Sequence, residues 1–156
     1  MVKRILDIKE LRSILTEMEQ GDLLKKVLSK QRHIAGDWNI DHLKDQIYQI
    51  LLSFKENAVI FVYFQNDKPV SIFVGIVTQD WACGKMGLNE IIWVSVGKSA
   101  IGGFKVIEAV EQHIVAKGID FLSCHYMSNG GDPRIQMFYM NSGFNLDTLT
   151  FVKRYK

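Results

Sequence analysis

Between Ala58 and Val77 this chain has few conformations open to it. Ala58–Phe64 reads AVIFVYF and Val70–Val77 reads VSIFVGIV, with Gln65-Asn66-Asp67-Lys68 between them. Runs of β-branched and aromatic residues suit a pleated surface, and Asn and Asp tolerate the left-handed conformations of a tight reversal. An antiparallel hairpin is predicted. Both runs are apolar at nearly every position instead of alternating, so the sheet should be covered on both faces over part of its length.

The flanking sequence can supply that cover. Asp7–Met18 predicts a first helix, with Leu11, Ile14, Leu15 and Met18 at helical spacing, and Lys25–Gln31 continues the helical character after Gly21. Asn39 offers a cap before a clearer helix, in which Leu43, Ile47, Ile50, Leu51 and Phe54 share one face. After the hairpin, Trp81–Gly87 reads as a loop and Leu88–Val96 as a third strand. Gly97–Gly103 (GKSAIGG) then leads into a helix, Phe104–Lys117. Gly103, Val106, Ile107, Val110 and Ile114 lie on one side of it, and Gly118 stands where a capping glycine belongs. Ile119–Met127 is a predicted strand, followed by the turn Ser128-Asn129-Gly130-Gly131. Asp132-Pro133 opens a last helix that stops before Gly143, and Phe144–Arg154 supplies closing strands. With no repeat, linker or low-complexity tract, this order predicts one α/β (mixed α+β) domain over residues 1–156, built on a mixed sheet.

Composition narrows the function classes. At 156 residues with 47% hydrophobic and 23% charged side chains, the chain can bury a real core and is not a disordered one. Lys and Arg number 19 against 17 Asp and Glu, a formal charge of +2, too balanced for a protein that tracks a polyphosphate backbone. Apolar runs such as Ala58–Phe64 fall far short of the roughly 20 residues of a membrane span. The basic start Met1-Val2-Lys3-Arg4 meets Asp7 and Glu10 without an apolar stretch, so no signal peptide is expected. Cys83 and Cys124 then read as reduced thiols in a cytoplasmic protein. The adjacent Cys124-His125 suggests a nucleophile and base, but neighbours on a strand point to opposite faces.

Glu90–Val96 running through a glycine-bearing loop into a helix is a potential anion site. The N–H groups of a helix's first turn lack intrahelical acceptors, and the macrodipole places partial positive charge there. Gly102 and Gly103 would let backbone approach a phosphate, and Lys98 adds a full charge. The same glycines are also what close packing of a helix on a sheet requires. The Walker pattern is absent, because Gly97-Lys98-Ser99 begins the loop instead of ending it.

The segment Glu90–Phe144 resembles the GCN5-related N-acetyltransferase superfamily. The matching pieces are the strand Trp93-Val94-Ser95-Val96, the loop Lys98-Ser99-Ala100-Ile101-Gly102-Gly103, the helix after it, and Phe138-Tyr139-Met140-Asn141-Ser142-Gly143-Phe144. The loop departs from the family pattern in having Lys98 where Arg or Gln is favoured and Ile101 in place of a glycine. Asp132 replaces an Asn before the last helix. The resemblance implies a central mixed, mostly antiparallel sheet with helices on both faces, and acetyl-coenzyme A as co-substrate with no metal. It implies that Val94, Ser95 and Val96 pair with the pantetheine amides, and that Lys98, Ser99, Ala100, Ile101, Gly102, Gly103 and Asp132 border the cofactor.

Acetyl transfer to a primary amine needs a base for the amine proton and an acid for the departing thiolate. Glu90, at the start of the strand flanking the cofactor, is the first candidate for the base and Asp80 the second; an ordinary solvated strand-end residue is the competing reading. Tyr139 matches the family's acid, and its competing reading is a ring packed from the last helix. The acceptor is a small-molecule or protein amine. Neither nucleic acid nor a membrane is expected as partner, and a homodimer is allowed. The alternative function is a degenerate, non-catalytic member that keeps the fold as a binding or assembly module. His113 shares its helix with Glu108, Glu111 and Gln112 and is expected on a solvated face. His33, His42 and His125 show no metal-ligand spacing. Trp38, Trp81 and Trp93 read as core or rim, with Trp81 and Cys83 in a loop that would border the acceptor.

Overall fold

The computed structural model describes residues 1–21, 23–31, 39–96, 101–125 and 133–146. Two compact units divide the chain, Met1–Cys124 and His125–Lys156.

The first unit is built on a five-stranded sheet in the order β1-β2-β3-β4-β5, where β1 is Val2–Arg4, β2 Ala58–Gln65, β3 Lys68–Gln79, β4 Met86–Ser95 and β5 Phe121–Ser123. The first four strands run antiparallel to their neighbours and β5 lies parallel to β4, so the sheet is mixed and mostly antiparallel as expected. The hairpin turns through Asn66 and Asp67 at φ of 51° and 59°, the doubly positive geometry that matches strand twist. Asp7 caps helix α1 (Ile8–Gln20) by accepting from the N–H groups of Lys9 and Glu10, both at 2.9 Å. Asn39 caps α3 (Ile40–Phe54) by accepting from His42 N–H at 2.7 Å. Together with α2 (Leu23–Gln31) these helices bury Leu11, Leu15, Met18, Leu24, Leu43 and Ile47 against Ile60, Val62, Ile72, Val74, Ile92 and Val94. On the opposite face α4 (Ile101–Lys117) buries Val106, Ile107 and Val110, and its His113 meets the ring of Phe61. Helices cover both faces, and the apolar hairpin is the reason they must.

Several boundaries differ from the sequence reading. The basic N-terminus forms β1, pairing Val2 with Tyr63; three residues are too few to show a period. Phe54 ends α3 at 40% exposure instead of joining the buried face. Strand β4 begins at Met86, so Glu90 lies inside it and not at its start. Strand β5 spans only Phe121–Ser123, because Ile119 N–H closes the α4 cap on Ile114 O and Cys124 and His125 fall after the strand. Tyr126 and Met127 lie outside the described residues, as does most of the predicted closing segment; Phe144–Leu146 is not strand.

In the second unit α5 (Pro133–Asn141) starts on its proline. It ends with Gly143 at φ 84°, Gly143 N–H donating to Met140 O at 3.3 Å and Phe144 N–H to Tyr139 O at 3.0 Å. That is a Schellman cap, and the ring contact of Tyr139 with Phe144, centroids 5.1 Å apart, is its customary hydrophobic seal.

Candidate functional site

Strand β4 changes character along its length. Gly87, Leu88 and Asn89 pair with Phe121, Leu122 and Ser123 of β5, and there the parallel pairing stops. Toward β3, Gly75 faces Glu90 while Val74 faces Ile92, which leaves Ile91 as an inserted bulge residue. Beyond the bulge, among the described residues, β4 pairs with β3 alone. Val96 N–H donates to Val70 O at 2.9 Å. Since bonded and non-bonded pairs alternate in an antiparallel ladder, Val94 also bonds to β3 through Ile72, whereas Ser95, opposite Ser71, turns its N–H and C=O outward.

This phase corrects part of the expectation for Val94, Ser95 and Val96. The main chains of Val94 and Val96 are committed to β3, so of the three only Ser95 offers a strand-pairing rung to a ligand. Its carbonyl accepts a hydrogen bond from the Lys26 ammonium of α2, 69 residues away in sequence.

The N-terminus of α4 lies directly over this end of the sheet. A Cβ added to Gly102 would stand 3.3 Å from Tyr63 Cδ1 and 3.4 Å from Ser71 Cβ; one on Gly103 would stand 3.2 Å from Ser95 Oγ and 3.9 Å from Trp93 Cζ2. Both glycines therefore face the sheet. They let the helix settle on β4 and do not line an open cradle, which corrects the role predicted for their missing side chains. Close seating brings the first turn of α4 beside Ser95. Ile101, in the glycine position of the family loop, is 58% exposed and so does not fill this contact. Lys98, Ser99, Ala100 and Asp132 lie outside the described residues.

Glu90 is 7% exposed, among the described residues one of two buried polar or charged side chains with Ser71, and it sits where β5 pairing ends and the bulge begins. The solvated strand-end reading is thereby overturned. Asp80 is bound up in its loop: its Oδ1 accepts from Ala82 N–H and Cys83 N–H, both at 2.9 Å. Those bonds, that with Cys83 foremost, hold its carboxyl below the usual range. It organises the turn that presents Trp81 at 96% exposure. Cys83 is an exposed free thiol. His113 is not on a solvated face, since it follows Val106 and Val110 around α4 and lies edge-on to Phe61 at 5.9 Å. Burial first, then Arg4 and Lys117, lowers its pKa. Among the described residues no group of three His, Cys, Asp or Glu side chains could hold a metal ion, and no helix is long and apolar enough to cross a membrane.

No protein-family model matches the sequence, and no curated protein does. Solved structures match it along its length. Glucosamine-6-phosphate N-acetyltransferase from Arabidopsis thaliana aligns over 100% of this chain and 99% of its own, at TM-score 0.67 and 14% identity. An aminoglycoside acetyltransferase from an uncultured soil metagenomic sample, solved with sisomicin, aligns over 100% and 96% at TM-score 0.67 and 16% identity. A mutant form of the BH1408 protein from Bacillus halodurans aligns over 100% and 99% at TM-score 0.74 and 11% identity. The chain has the GCN5-related N-acetyltransferase fold.

Proposed function

We propose that this protein transfers an acetyl group from acetyl-coenzyme A to a primary amine, directly, within a ternary complex. The observation that carries this reading is the outward-facing rung of Ser95 lying beside the N-terminus of α4, where a strand-like ligand ending in phosphates would find both of its partners. The amide-bearing arm of the co-substrate pairs along β4 at Ser95. Its phosphates lie at the first turn of α4 and the preceding Lys98–Ala100 segment. The N-acetyltransferase among the structural neighbours supports an amine as acceptor, carried by a small molecule or a protein. An exposed free thiol at Cys83 is in keeping with a reducing, cytoplasmic setting.

In the reaction the amine lone pair attacks the thioester carbonyl, a C–N bond forms and the C–S bond breaks. Glu90 takes the amine proton, directly or through water, and Tyr139 returns a proton to the departing thiolate. Glu90 has the burial and the position at the end of the β4–β5 pairing. Tyr139 is assigned from the sequence motif.

A second reading, a non-catalytic binding or assembly module, has one finding in its favour: both family-like motifs also have structural reasons to exist. The glycine pair seats a helix, and Tyr139, Gly143 and Phe144 make a helix cap. Thermal unfolding separates the two readings. At a hundredfold excess of acetyl-coenzyme A over its dissociation constant, the native state gains about 2.7 kcal/mol, an upward shift of about 5–10 °C for a chain of this size. No shift at millimolar co-substrate sinks the enzyme reading. Where binding is seen, Tyr139→Phe keeps the ring seal on Phe144 and removes only the hydroxyl. Turnover should fall about a hundredfold or more with the thermal shift unchanged; undiminished turnover removes Tyr139 from the mechanism.

A further inference from the structure

Arg4 closes β1 and lies opposite Phe61 of β2. Directly opposed residues of a ladder project to one face of the sheet, and on that face the Phe61 ring meets His113 of α4 at 5.9 Å. Lys117 follows His113 by four residues and so shares its side of the helix. Two fixed positive charges and an imidazole thus converge from β1 and the last turns of α4, and no step proposed above uses them. Among the described residues none of the three takes part in an ion pair, and the buried Nε of Arg4 has no hydrogen-bond partner.

The nearby carboxylates are engaged or face elsewhere. Glu10 pairs with Lys3, which projects to the opposite face of β1, and Glu108 pairs with Lys105. Asp120 accepts from Met86 N–H at 2.8 Å. Glu111 stands two residues before His113, around the far side of α4. From β2 the titratable group under α4 is Tyr63, at the Gly102 end. Glu90 lies in β4, three strands from β1 and about 14 Å away at ordinary sheet spacing. The positive potential at this end of α4 is therefore uncompensated, and after burial it is what lowers the His113 pKa. Lys117 also complements the dipole of its own helix, which accounts for one cation here but not for a second arriving from β1.

We propose that Arg4, His113 and Lys117 form an anion site that takes a dianionic phosphate group, as the free ion or as a monoester. Arg4 and Lys117 supply two charges at neutral pH, which a phosphate dianion matches and a single carboxylate does not. Phosphate also has three strong acceptor oxygens for the guanidinium, the ammonium and an imidazole N–H. An arriving oxygen gives the Arg4 Nε–H the acceptor that the fold withholds. The site lies ten residues along α4 from Gly103, about 15 Å, so it is separate from the end of the helix assigned to the co-substrate. It is independent of the acetyl-transfer reading, and its test needs no co-substrate.

The test follows the imidazole resonances of His113 in the full chain while chloride is replaced by inorganic phosphate at constant ionic strength. Phosphate should give a saturable shift at neutral pH and raise the His113 pKa, because a bound anion favours the protonated ring. Acetate should bind at least about tenfold more weakly. Lys117→Gln and Arg4→Gln should each weaken phosphate binding about tenfold, the scale of one charged hydrogen bond, with cooperative melting retained. Lys105→Gln, which removes an equal charge elsewhere on α4, should leave the dissociation constant within about twofold. Glycerol 3-phosphate distinguishes the sources: binding as tight as that of the ion assigns a monoester, and its exclusion assigns the free ion. No saturable response, an equal response to acetate, or phosphate binding unchanged in both Lys117→Gln and Arg4→Gln would overturn the site.

Discussion

At Gly87–Asn89 strand β4 is bonded to β3 along one edge and β5 along the other; at Trp93–Ser95, among the described residues, it is bonded to β3 only. The first stretch is packed to the limit. Gly87 lies under the Phe121 ring so closely that a Cβ there would fall 2.2 Å from Cζ, and Leu88 is fully buried over Gly75. The second stretch is held by one hydroxyl pair, a lysine and two glycines, groups that fix position. One inserted residue, Ile91, separates the two. A bulge costs a little pairing and returns a change of direction and of hydrogen-bond phase, which is how one strand can be core at one end and a candidate binding rung at the other.

Substitutions can break this contrast. Leu88→Ala, in the closed stretch, should cost about 2–5 kcal/mol in urea unfolding, as other fully buried leucines do. A loss below about 1 kcal/mol would mean that the β4–β5 junction is looser than described. Gly87→Ala should cost about 1–3 kcal/mol by overpacking against Phe121; a neutral result would show that the ring swings aside freely. Ile91→Ala, at the bulge and 38% exposed, should change stability by no more than about 0.5–1 kcal/mol. A loss as large as that of Leu88 would contradict the division of the strand. The smallest effect is the pH response of His113 on α4. Its native pKa lies below the ordinary value, so the native state binds this proton less readily than the unfolded chain does. The contribution is intact above the usual histidine value of about 6.5 and is lost as pH falls through the lowered native one. Urea midpoints should therefore fall more steeply between neutral and mildly acidic pH in wild type than in His113→Phe, and parallel slopes would exclude His113 as the source.

How much of this was legible beforehand follows from the range of each interaction. The hairpin, the capped helices α1 and α3, the proline start of α5 and the glycine stops at Gly118 and Gly143 are local, so neighbouring residues announce them. The Tyr139–Gly143–Phe144 spacing is legible for the same reason, and its plainest content is a helix cap. What surrounds Ser95 is not local. Its outward phase depends on the register with β3, its hydroxyl on Ser71, 24 residues away, and its carbonyl on Lys26, 69 residues away. Val94, Ser95 and Val96 look equivalent in sequence because nothing within the tripeptide reveals the ladder phase. Gly102 and Gly103 are as apt for a phosphate cradle as for helix seating until the sheet beneath them is seen. Glu90 reads as a strand end because Met86, Gly87 and Asn89 are weak strand formers, held there by β3 and β5.

Residue-resolved amide exchange at Ser95, Val94 and Val96, with and without acetyl-coenzyme A, tests the central claim most directly. The N–H groups of Val94 and Val96 are bonded to β3, so their exchange should be slow and little altered by the ligand. Ser95 N–H, turned to the edge away from β3, should exchange faster in the unliganded protein and become protected on binding. Ligand binding that leaves Ser95 exchange unchanged, or that protects a different edge of the sheet, would contradict the assignment of this end of β4 as the binding rung.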